Sequence, residues 1–318
     1  MRFVLVLSVM LLLPAQVLAI QHHLLVITGI GGTAAYEKQF ADNASGLMQS
    51  AQDLGIDRSN IIRLGDSRPA DRQSIQQALH EISLKAAADD RVFVVLIGHG
   101  NGRGDNAVFN LSGPDISAEE LEQALSMLEQ RSVIIINSAS ASGPFIRALS
   151  DKNRLVITAT SSAREYYAPV FGNYFFSAFG QPGADRDKDE KISMLEAFDY
   201  ARLEIRRAFD IEKRLLTEHA LLDDNGDGRG SREPVRQGGD DVDGVLASQI
   251  HLQPPLSLAS GASPVLIEML QQKQQLEQSI SELKLKRENL ENDDYYRQLE
   301  GLLVELALLA RQIRAKTG

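Results

Sequence analysis

Two stretches decide how this chain folds: Val92-Phe-Val-Val-Leu-Ile-Gly-His-Gly100 and Val133-Ile-Ile-Ile-Asn-Ser-Ala-Ser-Ala-Ser-Gly143. Each opens with a near-continuous run of aliphatic and β-branched residues, without the polar alternation of a half-exposed strand. That is the pattern of a strand covered on both faces, as in a parallel sheet. Each then passes into small residues, His99 closing the first run and Ser140 the second. The C-terminal ends of such strands are where open α/β sheets assemble their sites.

The rest of the chain alternates in the same way. His23 to Gly32 reads as a first strand entering a glycine-rich loop, followed by a helix over 34–54, and Asn60 to Leu64 as a short second strand. Ile75, Leu79 and Ile82 recur at helical intervals within a helix over 71–88. Ser117-Ala-Glu-Glu120 is a capping box opening another helix, Pro144 to Leu149 reads as helical, and Leu155 to Thr160 as a further buried strand. Strands alternating with helices predict an α/β domain with a mostly parallel sheet flanked by helices. From Pro264 the composition changes. Met269, Leu276, Leu283 and Leu290 are spaced by sevens, as are Leu299, Leu306 and Ile313, which predicts a C-terminal α-helical coiled-coil hairpin turning at Asn292 to Tyr296. Such a hairpin closes on itself or makes a homo-oligomer with a second copy.

The domain plan is therefore a signal peptide over 1–19, an α/β domain over 20–233, a Pro- and Gly-rich linker over 234–263 and a helical hairpin over 264–318. Arg2, the apolar stretch Phe3 to Leu13, Pro14 and the small-residue ending Val17-Leu18-Ala19 have the layout of a secretory signal cleaved after Ala19. The mature protein is expected in a bacterial periplasm, with no membrane span. A net charge of -10, from 33 Lys and Arg against 43 Asp and Glu, argues against nucleic acid as the main partner. The chain has no cysteine, so its core must hold without disulfides, aided only by whatever cation it binds.

Gly98-His99-Gly100, Ser138-Ala-Ser-Ala-Ser-Gly143 and Val156-Ile-Thr-Ala-Thr160 with Ser161-Ser162 together resemble the active-site segments of legumain-like, caspase-fold cysteine peptidases. The resemblance covers roughly residues 22 to 180. The family's second motif has the form acidic-Ala-Cys-Glu-Ser-Gly. Matching its Ala and Ser-Gly to Ala139 and Ser142-Gly143 puts Ser140 at the position of the cysteine. The resemblance thus implies His99 as base and Ser140 as nucleophile, with Ser138 and Ser142 as rival hydroxyls. A serine hydroxyl is far less acidic than a thiol and needs an orienting group and an oxyanion hole, and only Asp105 and Asp115 offer themselves as orienters. The leading expectation is a non-proteolytic, degenerate relative that binds polypeptide segments or protein partners. An active hydrolase using a Ser140–His99 dyad is the alternative, and a calcium-stabilised scaffold acting through its coiled coil is a third.

Two acidic loops predict calcium as a cofactor. Asp185, Asp187 and Asp189 stand at the first, third and fifth positions of an EF-hand-like loop over 185–196. In that loop Lys191 offers a carbonyl at the seventh position, Ser193 stands at the ninth and Glu196 at the twelfth, while Glu190 replaces the glycine usual at the sixth. The second loop, 223–230, has Asp223, Asn225 and Asp227 at the same spacing and the glycine, Gly228, but no acid at the twelfth position. His219, between the loops, is a further chemical candidate.

Overall fold

The structure is a computed structural model that describes residues 20–103, 106–239, 241–255, 264–285 and 290–317. The signal-peptide reading, Asp105 and the 256–263 end of the expected linker lie outside the described residues.

The elements run β1 (His22–Thr28), α1 (Ala34–Asp53), β2 (Ile61–Leu64), α2 (Arg72–Lys85), β3 (Arg91–Ile97), β4 (Gly100–Arg103), β5 (Asn106–Phe109), β6 (Ile116–Ser117) and α3 (Ala118–Leu125). They continue with β7 (Ser132–Asn137), α4 (Phe145–Leu149), β8 (Arg154–Thr158), α5 (Phe171–Ala178), α6 (Met194–Ile211), β9 (Leu221–Asp223), α7 (Pro264–Leu285) and α8 (Asn292–Thr317). Six strands form one sheet in the order β2-β1-β3-β7-β8-β9, parallel throughout except for the antiparallel β9. The short β4, β5 and β6 make a separate antiparallel sheet just beyond the end of β3.

The uninterrupted apolar runs are explained by two covered faces. Leu24, Phe93, Ile134 and Leu155 lie in register across the four central strands and bury against α1, α5 and α6. Their immediate neighbours, Leu25, Val94, Ile135 and Val156, face the other way and bury against α2, α3 and α4. Burying a side chain of this size is worth roughly 1.5–3 kcal/mol, so paired faces supply a core that needs no disulfide. Local signals agree with this packing: the capping box read at Ser117 and Glu120 is formed, and Asp71 caps α2 through the Ser74 amide.

β7 ends at Asn137 and the chain turns through Ser138 to Gly143, so the three serines do not share one face of a continued strand. Two expectations need correction. The stretch read as a linker is, up to Pro255, part of the α/β domain. Ala247, Ile250 and Leu252 are buried in its core, and His251 bridges Ser193 ahead of α6. Finally, Asn292 to Tyr296 does not form the turn of the hairpin but opens α8, because Asp293 and Asp294 suit a helix N-terminus. α7 and α8 pack on each other through Met269, Leu309 and Ile313. At the sheet's edge β9 is only three residues long, and Leu222 makes an antiparallel bridge to Ser231 on its outer side.

Candidate functional site

The strand-end residues converge as the sequence predicts, but their hydrogen bonds are not those of a dyad. Ser140 is 2 % exposed, and its Oγ donates to the Gly100 carbonyl at 2.9 Å while accepting the Gly100 N–H at 3.1 Å. The close approach requires glycine at 100, since a Cβ there would lie 2.4 Å from the Ser140 carbonyl oxygen. Ser138 donates to the Leu96 carbonyl at 2.9 Å, and Ser142 pairs with the Thr160 hydroxyl at 3.1 Å. All three hydroxyls therefore bind the end of the sheet to itself.

His99 is brought to the same edge and engaged elsewhere. Its Nε2 lies 3.2 Å from the Gly31 carbonyl, and its ring meets Tyr36 and Phe40 edge-on at 4.7 and 5.0 Å between centroids. Among the described residues no hydrogen bond joins it to Ser138, Ser140 or Ser142. Asp115 is not an orienter: its Oδ1 accepts from the Leu111 N–H and its carbonyl from Arg72.

A hollow of about 930 Å³ opens beside this turn, lined by Ser161, Ser162, Glu165, His219, Arg232 and Glu233 among others. Glu165 is its organising residue, and sequence reading missed it. Its carboxylate accepts from the Ser161 Oγ at 2.6 Å and from the backbone N–H of His219 at 2.9 Å, and lies 3.2 Å from His219 Nδ1. Its carbonyl accepts the Ala141 N–H, so the hollow is tied to the turn that carries Ser140. Arg232 donates to the Ser161 Oγ at 2.9 Å. Beyond Glu165 the chain exposes Tyr166 and Tyr167, at 64 % and 68 %, with rings 4.8 Å apart. Glu218 fastens the far end of this loop by accepting the Val170 N–H at 2.8 Å, while its Oε1 is buried without a hydrogen-bond partner among the described residues. Burial, with the nearby charge of Glu165, pushes the Glu218 carboxyl up to about 7.

The acidic loops differ from each other. Asp185, Asp187 and Asp189 bring carboxylate oxygens within 4.8 Å of one another, a spacing that fits a cation. The missing glycine is no obstacle to the turn, since Glu190 adopts φ +67°. Glu196, expected as the twelfth ligand, is instead occupied. Its oxygens accept the amides of Arg186 and Asp187 and cap α6 through Ser193, and the Arg236 guanidinium bridges it to Asp187, lying 3.0 Å from the Glu196 carboxylate. In the second loop Asp223, Asn225 and Asp227 each accept a backbone N–H two or three residues ahead, as turn residues do. Arg236 and Asp243, both from the supposed linker, went unread because neither falls within a loop motif.

The profile of the Peptidase C13 family matches residues 70–218. The α/β domain is thus related, over these residues, to a family of peptidases, as the strand-end motifs implied. No curated protein gives a significant match. Among solved structures, the chain is similar to the Drosophila initiator caspase Dronc at 9% identity, covering 57% of this chain and 70% of that one with a TM-score of 0.39. It is similar to drICE at 9% identity over 61% of this chain and 86% of that one, with a TM-score of 0.40. Among the described residues no helix is long and apolar enough to cross a membrane.

The state of Glu218 gives a pH signature. Its carboxyl titrates higher in the folded protein, about 7 against 4.5, so the stability associated with the neutral form is present below about pH 4.5 and is lost as the pH rises through about 7. The ionisation costs on the order of 3 kcal/mol. Thermal unfolding of the native chain should fall across this window, and Glu218→Gln should flatten the decline. Identical pH profiles for the two proteins would remove Glu218 from this role.

Proposed function

We propose that the α/β domain is a non-hydrolytic relative of the C13 peptidases, exported from the cytoplasm, that binds polypeptide segments at the hollow beside the Ser140 turn. The observation that carries this reading is the closure of the Ser140 hydroxyl on Gly100. A nucleophilic serine must pass its proton to a base as it attacks. Here the proton goes to a backbone carbonyl inside the protein, and His99 faces a different carbonyl. The Gly100 N–H, which stands where an oxyanion donor would be useful, is spent on the same hydroxyl.

What remains at this edge suits recognition rather than bond cleavage. The hollow offers hydroxyls, two carboxylates, an imidazole and a guanidinium, and the exposed tyrosine pair beside it supplies large apolar area at low entropic cost. A chain laid across it gains aromatic contact from Tyr166 and Tyr167 and hydrogen bonds from the hollow.

Four measurements test this. A fluorophosphonate probe should leave the native chain unlabelled. Ser140→Cys should cleave no peptide and lose about 1–3 kcal/mol of stability, because sulfur is a weak replacement partner for two buried backbone groups. Peptide turnover by Ser140→Cys, or probe labelling lost in Ser140→Ala, would establish a working dyad instead. On an array of unrelated peptides, the native chain and Ser140→Ala should retain the same sequences, while Tyr166→Ala with Tyr167→Ala should lose roughly tenfold in affinity, as expected when aromatic anchors are truncated. Absence of any retained peptide would sink the binding role. Expressed in a bacterium, the mature protein should begin at Ile20 and appear in the periplasmic fraction; an unprocessed cytoplasmic chain would refute export.

A further inference from the structure

The loop that looks less like an EF-hand is the one with an unmet need for a cation. Asp223 is 0 % exposed, yet only one of its carboxylate oxygens is used. Oδ1 accepts from the Ser150 hydroxyl at 3.1 Å and from the Gly226 N–H at 3.3 Å, while Oδ2 is shielded from water and has no hydrogen-bond partner among the described residues. Asp224 and Asp243 are buried with it. Both are tied to backbone: Asp224 accepts the amides of Gly244 and Ala247 at 2.8 and 2.7 Å, and Asp243 accepts that of Asp224 at 3.1 Å. Among the described residues none of Asp223, Asp224, Asp227 or Asp243 makes an ion pair with a basic side chain. Buried carboxylates without a counter-charge are unfavourable unless something positive joins them.

The first loop makes the contrast. Its Asp187 and Glu196 already hold a cation supplied by the chain, the guanidinium of Arg236. In the second loop, among the described residues, no basic side chain, Arg229 of the loop included, makes an ion pair with the carboxylates, although the spacing is there. Asp223, Asn225 and Asp227 offer oxygens at the first, third and fifth positions, and Gly228 takes φ +73° at the sixth, where the loop must turn sharply. The donors are all oxygen and include flexible carboxylates, which suits a hard ion of irregular coordination, calcium rather than zinc or a soft metal.

We propose that the 223–230 loop binds calcium through Asp223, Asn225 and Asp227, with Asp243 of the following segment adding to the negative charge that attracts the ion. The loop leads directly to Ser231, Arg232 and Glu233, which line the hollow. A bound ion therefore fixes the path by which these side chains reach it, and the antiparallel bridge between Leu222 and Ser231 closes the loop at its base.

The test uses the full chain, stripped with chelator and titrated with calcium chloride by calorimetry and by thermal unfolding. Calcium should release or absorb measurable binding heat and raise Tm by several degrees, with magnesium at equal concentration doing less. Asp223→Asn and Asp227→Asn should each weaken binding by roughly tenfold or more and abolish the rise, since each removes a charged ligand. Asp187→Asn should keep both responses. Without calcium, Asp223→Asn should melt no lower than the native chain, because it removes an uncompensated buried charge. If that variant fails to fold, Asp227→Asn, at an exposed position, decides alone. The proposal is overturned if the native chain shows neither heat nor a rise in Tm, if both loop variants respond as the native chain does, or if only Asp187→Asn loses the response.

Discussion

The contact of Gly100 with the turn after β7 is the constraint on which the sheet's C-terminal edge depends. Two backbones come so close that no side chain fits between them, and the hydroxyl of Ser140 settles between the N–H and C=O of the facing glycine. A thiol at this place would be a poor clasp and a good nucleophile; a hydroxyl reverses both properties. The turn that follows carries its own strain. Ala141 adopts φ +54°, a conformation that costs a non-glycine residue roughly 1–2 kcal/mol, and its N–H is held by the Glu165 carbonyl. That bond ties the Ser140 turn to the loop that shapes the neighbouring hollow.

Electrostatic compensation is the second organising theme. With an excess of ten acidic charges the domain cannot pair every carboxylate with a base. It answers in different ways at different places. Arg236 reaches from the segment after the domain's last strand to join Asp187 and Glu196, and Glu165 collects hydrogen bonds from Ser161 and His219. Glu218 keeps one oxygen on the Val170 amide and holds its proton to higher pH.

The fold was largely legible because its strands are buried on both sides, so that hydrophobicity alone marks Arg91–Ile97 and Ser132–Asn137 without help from alternation. The capping box at Ser117 and Glu120 was legible because its chemistry is local. What escaped was whatever depends on contacts distant in sequence. Glu165 meets His219 across 54 residues, and Asp243 meets Asp224 across 19, with no periodicity or motif to connect them. Gly- and Pro-rich composition made 234–255 look like a tether, although Ala247, Ile250 and Leu252 fill the core. The serines were found, but their roles were not, because only the position of Gly100 reveals where the Ser140 hydroxyl points.

The bridge between Leu222 and Ser231 has a meaning beyond the loop it closes. A mostly parallel sheet leaves two open margins, each a row of unpaired amides and carbonyls able to recruit a strand from another molecule. On one side β2 offers only four residues. On the other, β9 runs against its neighbour's direction, stops after three residues and is met from outside by Ser231, whose N–H and C=O both bond to Leu222. Both margins of the sheet thus present only short edges, which disfavours the addition of a strand from another copy.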